Sequence, residues 1–578
     1  MSIIIPFLYI LVIACEISFF FNKPIGSTIS ISFIVSTLLV YIGGLVGDIR
    51  IGLIIGFISI IAFFVVICRE LISQHKFGKK SNKLIVFKQN VCQVSVITFC
   101  ILYVLIVLIS YNRQFSFVDE YYHWGISARE QFRLHKLYCV NESLLFYHKD
   151  YPPFLQCLES LWCMLSLEFK ESTCYIALLT FDFSFFVNAL NGIKKNKTSI
   201  IKVMFFIIIT ILSGLIIVSS FKDVVYSPGL FNSVYADWPL ALVFGYSMYL
   251  IITKEQTINN TVDLTLCLIA LSLIKQAGLL VSILLAIIYL VKLLINKKDT
   301  KLCFLLVLPI IFYIAWVMYS NSFAVASQFS FSITSIKNII ATILYKSYSN
   351  QQLEVISNYT WSINNTYLIK GFLKFNYWHS IILISILMFF VLYLYRKSYK
   401  KSITYTLLYI ICSYVYKTIM LIMYLFIFDI SEGIAVSCFE RYMSIMIFAG
   451  YCCTIMIFLD YINQSKQYYL SCLCIILMIL FNNVNAYKLL IPSNNTYTIN
   501  DLILDYHEKY KGKILIIDNL EIDDCDTNKC RFGYYNAYSD LPINNSDFVF
   551  NNDINYIDSE SLKDYSYVYF ICIILCCC

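Results

Sequence analysis

Charge is what this chain has least of. Asp, Glu, Lys and Arg make up 14% of its 578 residues, against about 25% in an ordinary soluble domain. The signatures of nucleotide use are missing too. There is no P-loop and no GxGxxG, and there is no HExxH and no cysteine spacing of the zinc type. No internal repeat is evident. The net charge of +7 is no sign of nucleic acid, because the basic residues fall in short segments between apolar runs, where positive-inside topology accounts for them.

What fills the chain is apolar sequence: 59% hydrophobic residues and a mean hydropathy of +0.73. Long runs recur almost from end to end, with no short alternating strands of the barrel kind. The expected fold is an all-α polytopic membrane protein of about 13–15 hydrophobic helices with a small α/β extracytoplasmic C-terminal appendage. Three parts are expected: extra transmembrane helices and a basic loop over 1–90, a transmembrane core over 91–485, and a polar outer region over 486–578. The first run, Ile3–Phe21, contains Glu16 and lacks a basic start and a small-residue cleavage site, so it reads as a retained span. Most of the 22 cysteines lie inside apolar runs, where cysteine behaves as a small hydrophobe. Cys525 and Cys530 lie in polar sequence, where they pair or stay free according to the compartment. The terminal Cys576, Cys577 and Cys578 match no prenylation box.

Spans are expected near Ile3–Phe21, Thr28–Val46, Ile51–Cys68 and Val94–Tyr111. Between the last two, Arg69, Lys76, Lys79, Lys80, Lys83 and Lys88 form a dense basic loop, which places that loop in the cytoplasm and the segment after Tyr111 outside. Residues 112–153 are too polar to span and read as short amphipathic helices on the outer surface. Phe154–Leu167 is short for a span, and counting it as one spoils the parity of the next basic cluster, so it reads as partly embedded or re-entrant. Further spans are expected at Val203–Phe221, Leu240–Ile252, Val262–Leu273, Gly278–Leu294, Cys303–Tyr319, Ser380–Tyr395, Thr404–Phe428, Met443–Leu459 and Leu470–Val484. A long aromatic segment, Ser320–Trp378, reads as a lid or cavity wall. In the tail, Lys513–Asp518 and Tyr565–Phe570 read as strands.

This topology brings the scarce charges to one face. Asp119 and Glu120 follow an outgoing span, Asp237 opens an incoming one, Lys275 interrupts an apolar hairpin, and Glu440 and Arg441 precede another incoming helix. Each has a plain structural reading: solvated acids in an aromatic belt, an N-cap, a snorkelling lysine. Ionisable groups at a membrane boundary are also the default candidates for function.

Four segments, in order, resemble the GT-C class of membrane glycosyltransferases. That class includes protein mannosyltransferases, aminoarabinose transferases, oligosaccharyltransferases and many bacterial cell-envelope transferases. DEYYHWGISAR at 119–129 resembles its first-loop acidic motif, and HKDYPPFLQCLESLW at 148–162 the proline-marked helix that closes this loop. YADWPLALVFGY at 235–246 resembles the segment carrying a second acid, and LSLIKQAGLLVSILLA at 271–286 a Lys–x–x–Gly hairpin. The likeness covers roughly residues 90–460. Three spans before the acidic motif depart from the commonest layout, in which the motif follows the first span.

The resemblance implies a polyprenyl-phosphate sugar as donor and inversion by single displacement on the outer face of the cell membrane. The acceptor is a glycan, lipid or protein. Asp119 is then the base, with Glu120 orienting it, holding a metal or binding acceptor. Asp237 is a ligand for Mg²⁺ or Mn²⁺, together with Asp119 or Glu120, or a positioner of acceptor. Lys275 and Arg441 carry the phosphate charge, with Glu440 beside them. His123 is a hydrogen-bonding neighbour, and Trp124 stacks on sugar or anchors at the interface. The rival readings are a transporter or flippase for lipid-linked saccharides, an envelope polymerase or ligase, and a non-catalytic membrane scaffold.

Overall fold

The computed structural model describes residues 3–77, 82–91, 93–145, 148–188, 233–296, 300–323, 325, 333–370 and 374–465; in the C-terminal region it describes 514–518, 534, 548–551 and 567–571. The chain is an all-α polytopic membrane protein. Among the described residues, eight helices are long and apolar enough to cross a membrane, and three shorter apolar helices accompany them. Val203–Phe221, Leu470–Val484, Cys525, Cys530 and Cys576–Cys578 lie outside the described residues.

Helices α1 (Ile4–Phe21), α2 (Ile25–Val46) and α3 (Ile49–Phe77) form the first layer. Of the most apolar stretches of these helices, 72% is buried in α2 but only 17% in α3, so α2 belongs to the protein interior and α3 faces lipid. The basic stretch expected as a loop is largely helical. α3 carries Arg69 and Lys76, and α4 (Asn82–Val91) carries Lys83 and Lys88. The reason is local: from Cys68 to Phe77 there is no Gly or Pro, and Arg, Glu, Leu, Gln and Lys are good helix formers.

Helix α5 (Val94–Ser110) leads into residues 112–153, which hold a π-helical turn at Glu120–Trp124 and α6 (Gly125–Leu134). The short helices were foreseen; their surroundings were not. Glu120, Tyr121, Trp124, Glu130 and Gln131 are all under 5% exposed, so the segment is packed into the protein body. Helix α7 (Phe154–Ser166) has 13 residues, all buried. At 1.5 Å per residue it is about 20 Å long, too short for a 30 Å hydrocarbon core. Helix α8 (Glu171–Asn188) packs against it and α5.

The centre of the bundle is α9 (Asp237–Thr253), buried along its whole length. It continues into α10 (Ile258–Ile274) and α11 (Gln276–Ile295), between which Lys275 alone is extended, with φ −158° and ψ 155°. A short 3₁₀ stretch and α12 (Leu308–Asn321) follow. The aromatic segment folds into α13 (Ile333–Tyr345), α14 (Asn350–Asn365) and an antiparallel hairpin of β1 (Tyr367–Lys370) and β2 (Lys374–Asn376). Helices α15 (Tyr377–Arg396), α16 (Tyr399–Phe426), the one-turn α17 (Ile430–Ala435) and α18 (Phe439–Ser465) complete the core. α18 lies close along α9: a Cβ on Gly245 would stand 2.5 Å from the Ala449 carbonyl oxygen, so only glycine allows this approach.

In the C-terminal region β3 (Ile514–Asp518) pairs in parallel with β4 (Phe548–Asn551) on one side and β5 (Tyr567–Ile571) on the other. The sequence marks β3 and β5 but not β4. Tyr534 lies against Phe115 and Tyr121, with ring centroids 5.9 Å and 5.5 Å away.

Candidate active site

Asp237 is the first residue of α9, Lys275 sits in the break between α10 and α11, and Arg441 lies in the first turn of α18. The break owes its tightness to Gly278, where a Cβ would fall 2.0 Å from the Leu271 carbonyl oxygen. That contact folds α11 against α10 and leaves Lys275 at the apex, aimed at the start of α9. Lys275 Nζ donates to Asp237 Oδ1 at 2.7 Å. Arg441 Nη1 donates to Asp119 Oδ2 at 2.9 Å, and its Nε stands 3.4 Å from Asp237 Oδ2. This last contact has ion-pair distance without hydrogen-bond alignment, since both atoms are buried and make no hydrogen bond. Four residues from four chain segments therefore form one line of alternating charge: Asp119, Arg441, Asp237, Lys275.

Aromatic rings frame the line. Arg441 lies over Tyr235 and Tyr442, and Lys275 over Tyr442 at 4.6 Å. The backbone N–H of Asp119 donates to the Tyr235 hydroxyl at 3.3 Å. Buried ion pairs need such support, because a charge taken from water loses several kcal/mol of solvation that its partner must restore.

Beside the line lies a cavity of about 590 Å³. Asp119, Lys275 and Arg441 form part of its wall; His123, Trp124 and Tyr151 form another. Asp119 is the most open of the four charges, with 39% of its side chain exposed, while Asp237 is 5% exposed and sits behind the two cations. The chain matches no family model, no curated protein and no solved structure.

Three sequence-based assignments change. Glu120 is fully buried and does not line the cavity. Its carboxylate accepts from the backbone N–H groups of Ser116, Phe117 and Val234 and from the Tyr175 hydroxyl. Burial pushes its pKa up to about 7, against the pull of those donors. Glu120 is the knot that ties residues 115–124 to residues 233–237, so it holds Asp119 and Asp237 in register from behind the cavity wall. Asp237 does not suit Mg²⁺ or Mn²⁺. Lys275 and Arg441 already flank its carboxylate, and a divalent ion there would be repelled by both. Among the described residues no group of three or more His, Cys, Asp and Glu side chains is placed to hold an ion, whereas such cations need several oxygen ligands. Glu440, half-buried, is not part of the cavity wall although Arg441 next to it is; one step along a helix turns a side chain by about 100°.

His123 and Trp124 do line the cavity. Tyr151, His148, Tyr235 and Tyr442 were not singled out as site residues. Tyr151 had a signal, since it precedes the two prolines that start α7 and is fixed by that start. Asp429 and Glu432, exposed at the cavity mouth, carried none, because a polar loop of this kind looks the same whether or not it borders a cavity.

Proposed function

We propose that this protein is a membrane glycosyltransferase that moves a sugar from a polyprenyl-phosphate donor to an acceptor hydroxyl in cell-envelope glycan assembly. The observation that carries the reading is the convergence of Asp119, Arg441, Asp237 and Lys275 beside one cavity at the ends of apolar helices. The order of four segments resembling GT-C transferases supports it. So does the membrane setting of the bundle, which suits a donor whose isoprenoid tail stays in the bilayer.

In the proposed step the acceptor oxygen attacks the anomeric carbon as the bond from that carbon to the phosphate oxygen breaks. The acceptor proton passes to Asp119, and the bond electrons leave with the polyprenyl phosphate. The outcome is inversion. Arg441 has two tasks: it orients Asp119 and, with Lys275, faces the charge that grows on the leaving phosphate. Asp237 holds both cations in place, so that few degrees of freedom freeze during reaction. No metal takes part in this scheme.

Support for an outer-face site comes from the cations at the other end of the bundle. Lys292 donates to the Ile251 and Lys254 carbonyls and Arg396 to those of Ile252 and Thr253, at the opposite end of α9 from Asp237. By the positive-inside rule these cations favour a cytoplasmic position for that end, and with it a cavity on the outer face. Residues 91–485 form the GT-C-like core in this reading, and 486–578 an extracytoplasmic α/β appendage that reaches the site loop through Tyr534. A flippase would carry its charges near the midplane; here they sit at helix ends.

The test is direct. The full chain in proteoliposomes, given polyprenyl-phosphate sugars carrying labelled hexoses, should release polyprenyl phosphate in step with glycosylated acceptor. Movement of intact donor across the bilayer without its cleavage would refute the reading.

A further inference from the structure

The anionic part of a ligand is served by Arg441 and Lys275, but the cavity has a second wall of different chemistry. His123 is 2% exposed and its Nε2 is buried with no hydrogen-bond partner. Around it stand Trp124, Tyr151 and His148, with ring centroids 4.5, 4.7 and 5.3 Å from the imidazole. All four residues line the cavity.

The other ring nitrogen tells which atom carries the proton. The Ser127 hydroxyl donates its hydrogen to the His123 carbonyl oxygen. Ser127 Oγ is also 3.4 Å from His123 Nδ1. With its one hydrogen already committed, Oγ can only accept from Nδ1, so the hydrogen of that contact belongs to the imidazole. Nε2 is then a bare acceptor. Burial, followed by the nearby His148 and Lys275, pushes the pKa of His123 well below its usual value, so the ring stays neutral. A bare acceptor rejects a phosphate or carboxylate, which has no hydrogen to give. It accepts a hydroxyl. Aromatic faces with one placed polar atom are the ordinary make-up of a selective small-molecule pocket.

Building on the transferase reading, we propose that the His123–Trp124–Tyr151 wall is a sugar-ring subsite, in which a pyranose lies on the aromatic faces and one of its hydroxyls donates to His123 Nε2. His123 is thereby a positioning residue that selects hydroxylated rings, in the same cavity as the residues that face the phosphate.

The test uses the full chain in lipid bilayers, labelled with ¹⁵N-histidine and studied by solid-state NMR. The chain has six histidines, and His123→Phe identifies the resonance. The free protein should show His123 protonated on Nδ1 and bare at Nε2. Methyl glucoside, methyl galactoside, methyl mannoside and methyl N-acetylglucosaminide are then added in turn. At least one should move the Nε2 resonance in the direction of hydrogen-bond acceptance. Its affinity, followed by tryptophan fluorescence, should fall roughly 3–10-fold in His123→Phe, the loss of one neutral hydrogen bond, and be partly restored in His123→Gln. A proton on Nε2 in the free protein, or an Nε2 resonance unmoved by all four glycosides, overturns the proposal. Its fate is separable from that of the transferase reading. A responsive Nε2 without transfer sinks only the transferase; transfer with an unresponsive Nε2 sinks only the subsite.

Discussion

Asp119 and Arg441 are 322 residues apart in sequence and 2.9 Å apart in space. One closes the approach to the π-helical turn; the other starts α18. The guanidinium that reaches Asp119 through Nη1 faces Asp237 through Nε, so a single side chain couples two acids from distant chain segments. Arg441→Ala should leave both acids short of a partner and cost about 3–5 kcal/mol, the range for breaking a buried pair. Arg441→Lys keeps the charge but not the fork. It should restore most of the thermal stability and little of the transfer. Thermal unfolding in detergent together with turnover separates the two effects.

Lys275 and Asp237 offer a cleaner case, because both are almost wholly buried. Lys275→Met alone strands Asp237 beside Arg441, and Asp237→Asn alone strands Lys275. Each should lower stability by about 3–5 kcal/mol. The double variant should be closer to wild type than the sum of the two, with a coupling energy of about 1–3 kcal/mol. Strict additivity in the cycle would mean that the pair is absent in the membrane.

Glu120 gives a pH dependence with a definite sign. Its folded pKa is raised to about 7 from an ordinary 4.5, so between those values the folded state holds a proton that the unfolded state has lost. Stability from this group is therefore full below pH 4.5 and drains away as pH rises through 7, by roughly 3 kcal/mol at most. Wild type should melt lower at pH 8 than at pH 5.5. Glu120→Gln should be less stable at pH 5.5, since its amide NH₂ would face backbone N–H donors, and should lack this component of the slope. The gap between the two proteins closes as pH rises.

The sequence made the helices legible because they are built on a single strong signal, apolar length. It also brought Asp119, Asp237, Lys275 and Arg441 to one side, since each interrupts or borders a run and parity alone orders them. It could not show that Glu120 points inward while its neighbour Asp119 opens to the cavity. Adjacent residues in a tight helical turn diverge, and the donors that capture Glu120 come from Ser116, Phe117 and the distant Val234. Nor could it foresee that Asp237 would be enclosed by two cations, which is what removes it from metal chemistry. The burial of residues 112–153 was hidden for a related reason: their polar groups are satisfied by one another, as in the Arg133–Glu130 pair, so polarity did not mean exposure. The C-terminal strand Phe548–Asn551 was missed because four residues flanked by asparagines carry too little pattern.

The most direct measurement is sugar transfer by Asp119→Asn in proteoliposomes, with thermal unfolding used to establish that the variant is folded. Loss of a general base should reduce turnover roughly 10²–10⁴-fold while the apparent donor affinity changes little. A folded Asp119→Asn protein that transfers sugar at close to the wild-type rate would contradict the account.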